Sequence, residues 1–442
     1  MKYILSLLLA LAIMSCESNK SESSLHVPLS SPKDIDMKLS QLDRDKLYDK
    51  MLGMLAGSAI GDAMGAPTEM WARQDIQLEY GHVDDLDDMV REPSAEGIWD
   101  FNMQAGSTTD DTRWKVLLAD FLTGTGDNVG PHQAELGAKA FADHLINHYS
   151  KSLENLKKTE GLDLEPYEDG MRRLEWLKEW IKVAKPYSDG DIQGYSEALS
   201  QFYGGEMVCA GMLFAPILGA YYPGDPDWAY KQTYEADMFD LGYGRDISGL
   251  TAAMVAEAFK VDASPDSILH LLRKTDPKGY FKSRLVGRTS YKVYQQALRI
   301  AKEAKEVEVE TFFQREISVK LALPLKTKED SVKYAQWSTA YQKLDNELMR
   351  YPFHPSEIFI VNHVALLMND FDFVQTLSFV INYGRDNDTT AAVTGAILGA
   401  YWGAGKLPED MLAKVIKANL DLGYDLEKIA SRMTQSILAA NS

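Results

Sequence analysis

Residues 384–403 read GRDNDTTAAVTGAILGAYWG. An Asp-x-Asp-Thr lies near the start of the stretch, and from Ala391 to Gly405 there is no charged residue. The run is shorter than the roughly 20 residues that cross a bilayer, so it reads as a buried central helix. Gly395, Gly399 and Gly403 recur at every fourth position and share one helix face. Gly53, Gly57, Gly61 and Gly65 repeat the pattern near the other end of the chain. Each glycine inside a helix costs about 1 kcal/mol relative to alanine. Close backbone approach, which only a missing Cβ permits, would compensate. The two glycine-faced helices are therefore expected to cross tightly in the core. Gly65, just before Pro67, has a turn as its alternative.

Outward from these stripes the pattern stays helical. Apolar residues recur at three- and four-residue spacing in Leu136 to Tyr149, Met171 to Val183 and Tyr291 to Ala304. Val/Ile/Thr-rich alternating segments are scarce, so the fold class is all-α. Met207 to Tyr222 is a second uncharged run, bounded by glycines before it and by Pro223-Gly224-Asp225-Pro226 after it. The more charged regions Lys151 to Gln201 and Pro277 to Phe353 read as peripheral helices and loops around a central bundle. No Pro/Ser-rich linker divides the chain after residue 40, which leaves one domain over 41–442.

The formal net charge of -19 over 442 residues disfavours nucleic acid as a partner. Cys16 and Cys209 are too few for a disulfide framework, and the histidines lack zinc-type spacing. Lys2, the apolar run Ile4 to Met14, and Ser15-Cys16 have the form of a signal peptide over 1–15. Ile13-Met14-Ser15-Cys16 resembles a bacterial lipobox, with Cys16 as the lipidated residue; a plain cleaved signal is the alternative. Residues 16–40 read as a polar, flexible tether. The expected location is the bacterial cell envelope, lipid-anchored. Glu17 after the cysteine favours the outer membrane.

Two motifs carry chemistry. Thr108-Thr109-Asp110-Asp111-Thr112 sets adjacent carboxylates among hydroxyls, and Asp386-Asn387-Asp388-Thr389 leads into the apolar helix. Singly, each has a plain reading: a solvated acidic turn, or Asp388 or Thr389 as a helix N-cap. Asp84-Asp85-Leu86-Asp87-Asp88 is read as such a solvated loop. The two chosen motifs differ because each abuts a helix that must be buried. Carboxylates at a core edge need counter-charge. All-oxygen ligands select hard cations such as Mg²⁺, Mn²⁺ or Ca²⁺, and four carboxylates suit two of them. A third element, Gly61-Asp62-Ala63-Met64-Gly65-Ala66-Pro67-Thr68-Glu69, ends on a loop carboxylate able to position a hydroxyl or move a proton.

In this order, GDAMGAPTE (61–69), STTDDT (107–112) and GRDNDTTAAVTGAILGAYWG (384–403) resemble the ADP-ribosylglycohydrolases. The resemblance covers roughly residues 45 to 405. It implies an orthogonal helical bundle with peripheral insertions. It also implies a binuclear Mg²⁺ or Mn²⁺ site held by Thr109, Asp110, Asp111, Asp386, Asp388 and Thr389. Glu69 and Asp111 would act in catalysis. Asp62 and Arg385 fall among the candidates on the substrate side, with Asp62 read mainly as a supporting carboxylate. Trp99, Tyr243 and Tyr383, with Trp71 and Trp402, are candidates to stack on a base or sugar, against core packing for each. Two departures stand out. The mid-chain Ser/Thr-His-Gly-Asp of many relatives has Asp240 to Asp246 as its nearest counterpart, without the histidine. Arg385 stands where a second glycine is common.

The implied reaction is hydrolysis of an anomeric bond of a ribose-type sugar, with ADP-ribosyl adducts as substrates, including ADP-ribosylated protein. Another furanoside or glycan is the alternative. A non-catalytic sugar- or nucleotide-binding surface lipoprotein is the rival of another class. A monomer, touching the membrane only through its lipid, is expected.

Overall fold

The computed structural model describes residues 42–89, 103–124, 136–159, 164–315, 317 and 319–439. The expected signal peptide and tether, with Cys16, and Trp99 lie outside them. Among the described residues there is no strand, only the isolated bridges Ala72 to Gly384 and Met89 to Met103. The all-α reading holds.

Seven helices position the site: α1 (Arg44–Gly65), α2 (Asp110–Thr123), α3 (Ala210–Tyr221), α4 (Gly244–Ala258), α5 (Pro355–Met368), α6 (Phe373–Tyr383) and α7 (Asn387–Trp402). Asp43 caps α1 by accepting from the Lys46 amide at 2.8 Å, and Asp372 caps α6 from Gln375 at 2.8 Å. α6 ends where Gly384 turns to φ 84°. Every residue of α3 is buried, as the uncharged run required. Among the described residues no single helix is long and apolar enough to cross a membrane. The bent pair Ile192–Gly205 and Ala210–Tyr221 meets that test by length and composition.

The glycine stripes meet. A Cβ added to Gly57 would lie 2.4 Å from the Gly395 carbonyl oxygen, and one added to Gly399 would lie 1.9 Å from that of Gly53. A Cβ on Gly61 would lie 2.0 Å from the Ala391 oxygen, and one on Gly65 2.3 Å from the Asp388 Cα. The partner numbers fall along α7 as they rise along α1, so the two helices run antiparallel in backbone contact. Gly65 is the last residue of α1 and not part of a turn. Gly403 departs from the expected stripe: it lies past α7 in a left-handed cap with φ 79°, beside Asp49. Gly57→Ala is expected to destabilise by about 1–3 kcal/mol through overpacking; a chemical-denaturation midpoint unchanged from wild type would contradict the contact.

The regions expected to be peripheral also feed the core. Trp180 packs 4.3 Å from Trp114 of α2 and 4.8 Å from Phe239, and Trp176 lies 5.2 Å from Trp114. Trp337 and Tyr341 are buried against Phe379 of α6. The expectation of a purely outer layer is thus corrected. Among the described residues, the short helices Ile192–Gln201 and Val309–Phe313 carry no buried residue.

Candidate metal and substrate site

The site forms where the tight pair α1–α7 meets the N-terminus of α2. Asp62, on α1 and fully buried, accepts from the Thr109 amide and hydroxyl at 2.9 Å each. Its other oxygen accepts from the Thr112 amide at 3.0 Å and hydroxyl at 2.6 Å. A carboxylate at a helix N-terminus is favoured by the exposed amides and the dipole. Asp62 therefore anchors α2 and is consumed by that task, which corrects its place among the substrate-side candidates.

Thr109 is the N-cap of α2. Its Oγ1 has one proton, directed to Asp62, and lies 3.5 Å from Asp388 Oδ2. The Thr389 hydroxyl donates to Asp111 Oδ2 at 3.0 Å. Motifs 278 residues apart in sequence thus touch. Lys115, one turn after Asp111 and buried with it, donates to the Asp111 carbonyl at 2.8 Å and lies 3.5 Å from Asp111 Oδ1.

Glu69 reaches the same place through a backbone staple. The Met70 amide donates to the Arg385 carbonyl at 2.7 Å, and the Arg385 amide to the Trp71 carbonyl at 2.9 Å. Asn387 Nδ2 donates to Thr68 Oγ1 at 2.9 Å. As a result Glu69, Asp386 and Asp388, all buried, each offer a carboxylate oxygen within 4.8 Å of one another. Asp386 is the N-cap of α7, yet its side chain makes no cap bond. Asp388 and Thr389 lie inside the helix, so their plain reading as N-caps is set aside. By contrast, Asp84, Asp85, Asp87 and Asp88 are exposed, as read from the sequence.

Burial pushes the Asp386 carboxyl up to about 6, with the Asp110 and Glu357 charges adding to it and hydrogen bonds from Asp388 and Thr389 opposing. Asp388 is held well above the usual carboxylate range by burial, then by Glu69, Asp386, Asp111 and Asp62. Asp111 is likewise raised by burial, against which Lys115 acts, with Asp62, Asp110 and Asp386 adding. Packed carboxylates with raised affinity for protons are a site short of positive charge. Asp388 Oδ1 is buried without a hydrogen-bond partner. This orphaned oxygen and the all-oxygen donor set fit a hard divalent cation. The acidic cluster is one that could bind a metal.

That charge deficit has a measurable sign. A carboxyl raised in the folded protein keeps its proton at a pH where the unfolded chain has lost it, so the cation-free fold loses stability as pH rises through about 6. A divalent ion competes with those protons. The increment in melting temperature on adding Mg²⁺ is therefore expected to be larger at pH 8 than at pH 5.5. Taking the difference with and without Mg²⁺ cancels groups elsewhere, such as His354 and His363, which burial lowers to about 4. A pH-independent increment would contradict the site.

Other expected residues fall elsewhere. Tyr383 is buried, 5.3 Å from Tyr341 and beneath Arg73, so it is a core ring and not a stacking surface. Arg385 adopts φ 70° and pairs with Glu357 at 2.7 Å, so its guanidinium is engaged by a protein carboxylate. Glycine fits that left-handed backbone freely; here the ion pair holds an arginine in it. Tyr243 packs against His354. Cys209 is buried, and its thiol is pushed up by burial and by the charges of Asp386, Asp111 and Asp240.

Three contributors escaped the sequence reading. Lys115 was legible as the i+4 neighbour of Asp111 on a helix. Glu357 has no local signal, because its partner lies 28 residues away. Tyr203 sits in the left-handed turn Tyr203-Gly204-Gly205, 47% exposed. Its hydroxyl is raised by desolvation and by the charges of Asp110, Cys209 and Asp386.

The family model for ADP-ribosylglycohydrolase matches residues 43–441. Uncharacterized protein YegU from Escherichia coli (strain K12) is 35% identical over 83 residues, 19% of this chain and 24% of that protein. The match thus spans about a quarter of the relative's length. A solved structure described as an ADP-ribosylglycohydrolase-related protein complex covers 89% of this chain and 99% of its own, at 16% identity and a TM-score of 0.48.

Proposed function

The chain belongs to the ADP-ribosylglycohydrolase family, which suggests glycohydrolase activity, and from that premise we propose a divalent-metal-dependent enzyme that cleaves an anomeric bond of a ribose-type sugar. ADP-ribosyl adducts are the substrates that the family's name suggests. Thr109, Asp110, Asp111, Asp386, Asp388 and Thr389 would hold two Mg²⁺ or Mn²⁺ ions. The closeness of Glu69 to Asp386 and Asp388 makes it a candidate ligand as well. Bound ions would orient sugar hydroxyls and lower the pKa of a water.

The chain's own residues supply the rest. Asp62 fixes the α2 N-terminus, so Asp110 and Asp111 are presented from a rigid helix end. Lys115 offsets part of the charge of Asp111. Glu69, held by the staple to Arg385, is placed to accept a proton from a hydroxyl or water at the cluster. Asp111 is the second carboxylate assigned to the chemistry, assisting the charge-separated transition state of glycoside cleavage. Export and lipidation at Cys16, an envelope location and a monomeric state belong to the same reading and rest on the sequence alone.

The observation that carries this reading is the contact between the early and late aspartate motifs, Thr389 to Asp111 at 3.0 Å. Purified protein with Mg²⁺ should release ADP-ribose from a modified protein, or reducing sugar from a furanoside, and excess chelator should abolish release. Tight sugar or nucleotide binding without cleavage of any substrate would favour the binding-protein alternative. Cleavage unaffected by chelator would remove the metal from the reaction.

A further inference from the structure

From Pro277 to Lys302 the chain carries seven Lys or Arg and no Asp or Glu, although its formal net charge is -19. Two of the seven are engaged at the base of a loop: Arg288 is buried in its pair with Asp246, and Lys278 pairs with Glu235. Lys282 and Arg284 are exposed within the loop and have no carboxylate partner among the described residues. Lys292, in the first turn of the helix Thr289–Lys305, is exposed as well. Basic charge gathered on one part of an acidic protein gives it a face that an anionic partner can approach.

The same loop holds apolar side chains outward. Residues 281–286 read FKSRLV, and all six are exposed. Leu285 is 92% exposed, Val286 55% and Phe281 43%. The loop is nonetheless tied down. The Asp276 carboxylate accepts from the amides of Tyr280 and Phe281 at 2.8 and 2.9 Å. The Tyr280 and Tyr234 hydroxyls are bonded at 3.2 Å, and the Gly287 amide donates to the Ser283 carbonyl at 3.2 Å. Phe281 packs edge-on to Tyr291 at 5.2 Å. Gly279 and Gly287, at φ 73° and 69°, turn the chain at the two ends. A single exposed leucine needs no explanation. A tied loop that presents adjacent aliphatic side chains beside unpaired cations does.

We propose that loop 279–287 docks on an anionic lipid surface, with Leu285 and Val286 entering the apolar boundary and Lys282, Arg284 and Lys292 lying at the headgroups. The mixture of side chains decides the partner. Nucleic acid takes up cations but offers little to leucine and valine, whereas the interface of an anionic bilayer takes both. The stems of Lys282 and Arg284 can lie along the apolar layer while their heads stay at the phosphates. The acidic remainder of the chain is repelled, so the loop fixes which face turns to the bilayer. This contact goes beyond the lipid expected at Cys16 and is independent of the metal site.

The test uses the processed chain, residues 16–442 with Cys16→Ser, which holds every described residue and the whole family match and carries no lipid of its own. Cys209 is buried, so Leu285→Cys supplies one reactive thiol for an environment-sensitive fluorophore. Vesicles of phosphatidylcholine with phosphatidylglycerol should shift its emission to the blue, and phosphatidylcholine alone should not. The same fluorophore on Leu420→Cys, an exposed leucine of the helix Glu409–Asp421, should not respond to either. In sedimentation with the mixed vesicles, Lys282→Gln/Arg284→Gln should weaken binding by about 30-fold, the scale for two basic side chains at an anionic surface. Leu285→Ser/Val286→Ser should weaken it by at least about 10-fold, the scale for one aliphatic side chain leaving water. Raised salt should weaken wild-type binding. Both double variants should keep the wild-type melting temperature, because the altered side chains are exposed. No binding to the mixed vesicles, equal binding to neutral ones, or an equal shift at Leu420→Cys would overturn the proposal. Binding of a single-stranded oligonucleotide without binding of vesicles would overturn it in favour of nucleic acid.

Discussion

Asp388→Asn is expected to abolish hydrolysis while raising the melting temperature of the cation-free protein. The two effects have one cause. Asp388 is buried with Glu69, Asp386, Asp111 and Asp62 acting on it, and one of its oxygens has no partner. Without a cation it is a charge the fold would rather protonate, so an isosteric amide relieves repulsion. Under chelator at pH 8 the variant should melt a few degrees above wild type. With Mg²⁺ the order should reverse, because the variant gains little from the ion. Activity should fall by at least about 10³-fold, the scale of losing a directly acting electrostatic group in an enclosed site. A purely structural aspartate would behave oppositely: its replacement would lower the melting temperature with and without metal. Paired scans with chelator and with Mg²⁺, plus one activity assay, separate the two.

Arg288→Met is expected to be the most destabilising substitution outside the site. The Asp246 carboxylate, on α4 and fully buried, accepts from Arg288 Nε at 2.9 Å and Nη2 at 2.7 Å. Tyr230 donates to it at 2.5 Å, and Ser290 also donates. Arg288 donates further to the carbonyls of Leu272 and Thr275, at 3.2 and 2.7 Å. This network locks the start of the 277–353 region onto α4. Methionine would leave Asp246 buried with its main counter-charge gone, a loss of about 3–5 kcal/mol. The double variant Arg288→Met/Asp246→Leu should recover part of that stability, because no lone charge remains. Urea unfolding of the single and double variants reads both. A single variant within about 1 kcal/mol of wild type would show that the pair contributes little.

Much of the fold was legible because its cause was local and repeated. Glycine at every fourth residue has few physical explanations, and α1 and α7 meet along it. The aspartate motifs were legible together: each opens a helix that must be buried, and carboxylates there need a shared counter-charge. What stayed hidden was pairwise and distant. The anchoring of α2 by Asp62 depends on Thr109 and Thr112 arriving from 47 and 50 residues away. Arg385 looked available for substrate until Glu357 was placed beside it. Tyr383 shares its residue type with Tyr203, but one ring faces the core and the other stays half open, and composition carries no sign of that difference. The left-handed cap at Gly403 broke a stripe that spacing alone extended by one residue too many.

Crystals of the protein grown with Mn²⁺ and measured at the manganese edge test most directly whether the two ends of the chain hold metal together. Two anomalous peaks bounded by Thr109, Asp110 and Asp111 on one side and Asp386, Asp388 and Thr389 on the other are the expected result. Absence of any peak at these carboxylates when Mn²⁺ exceeds millimolar concentration, or peaks only on surface acids, would contradict it.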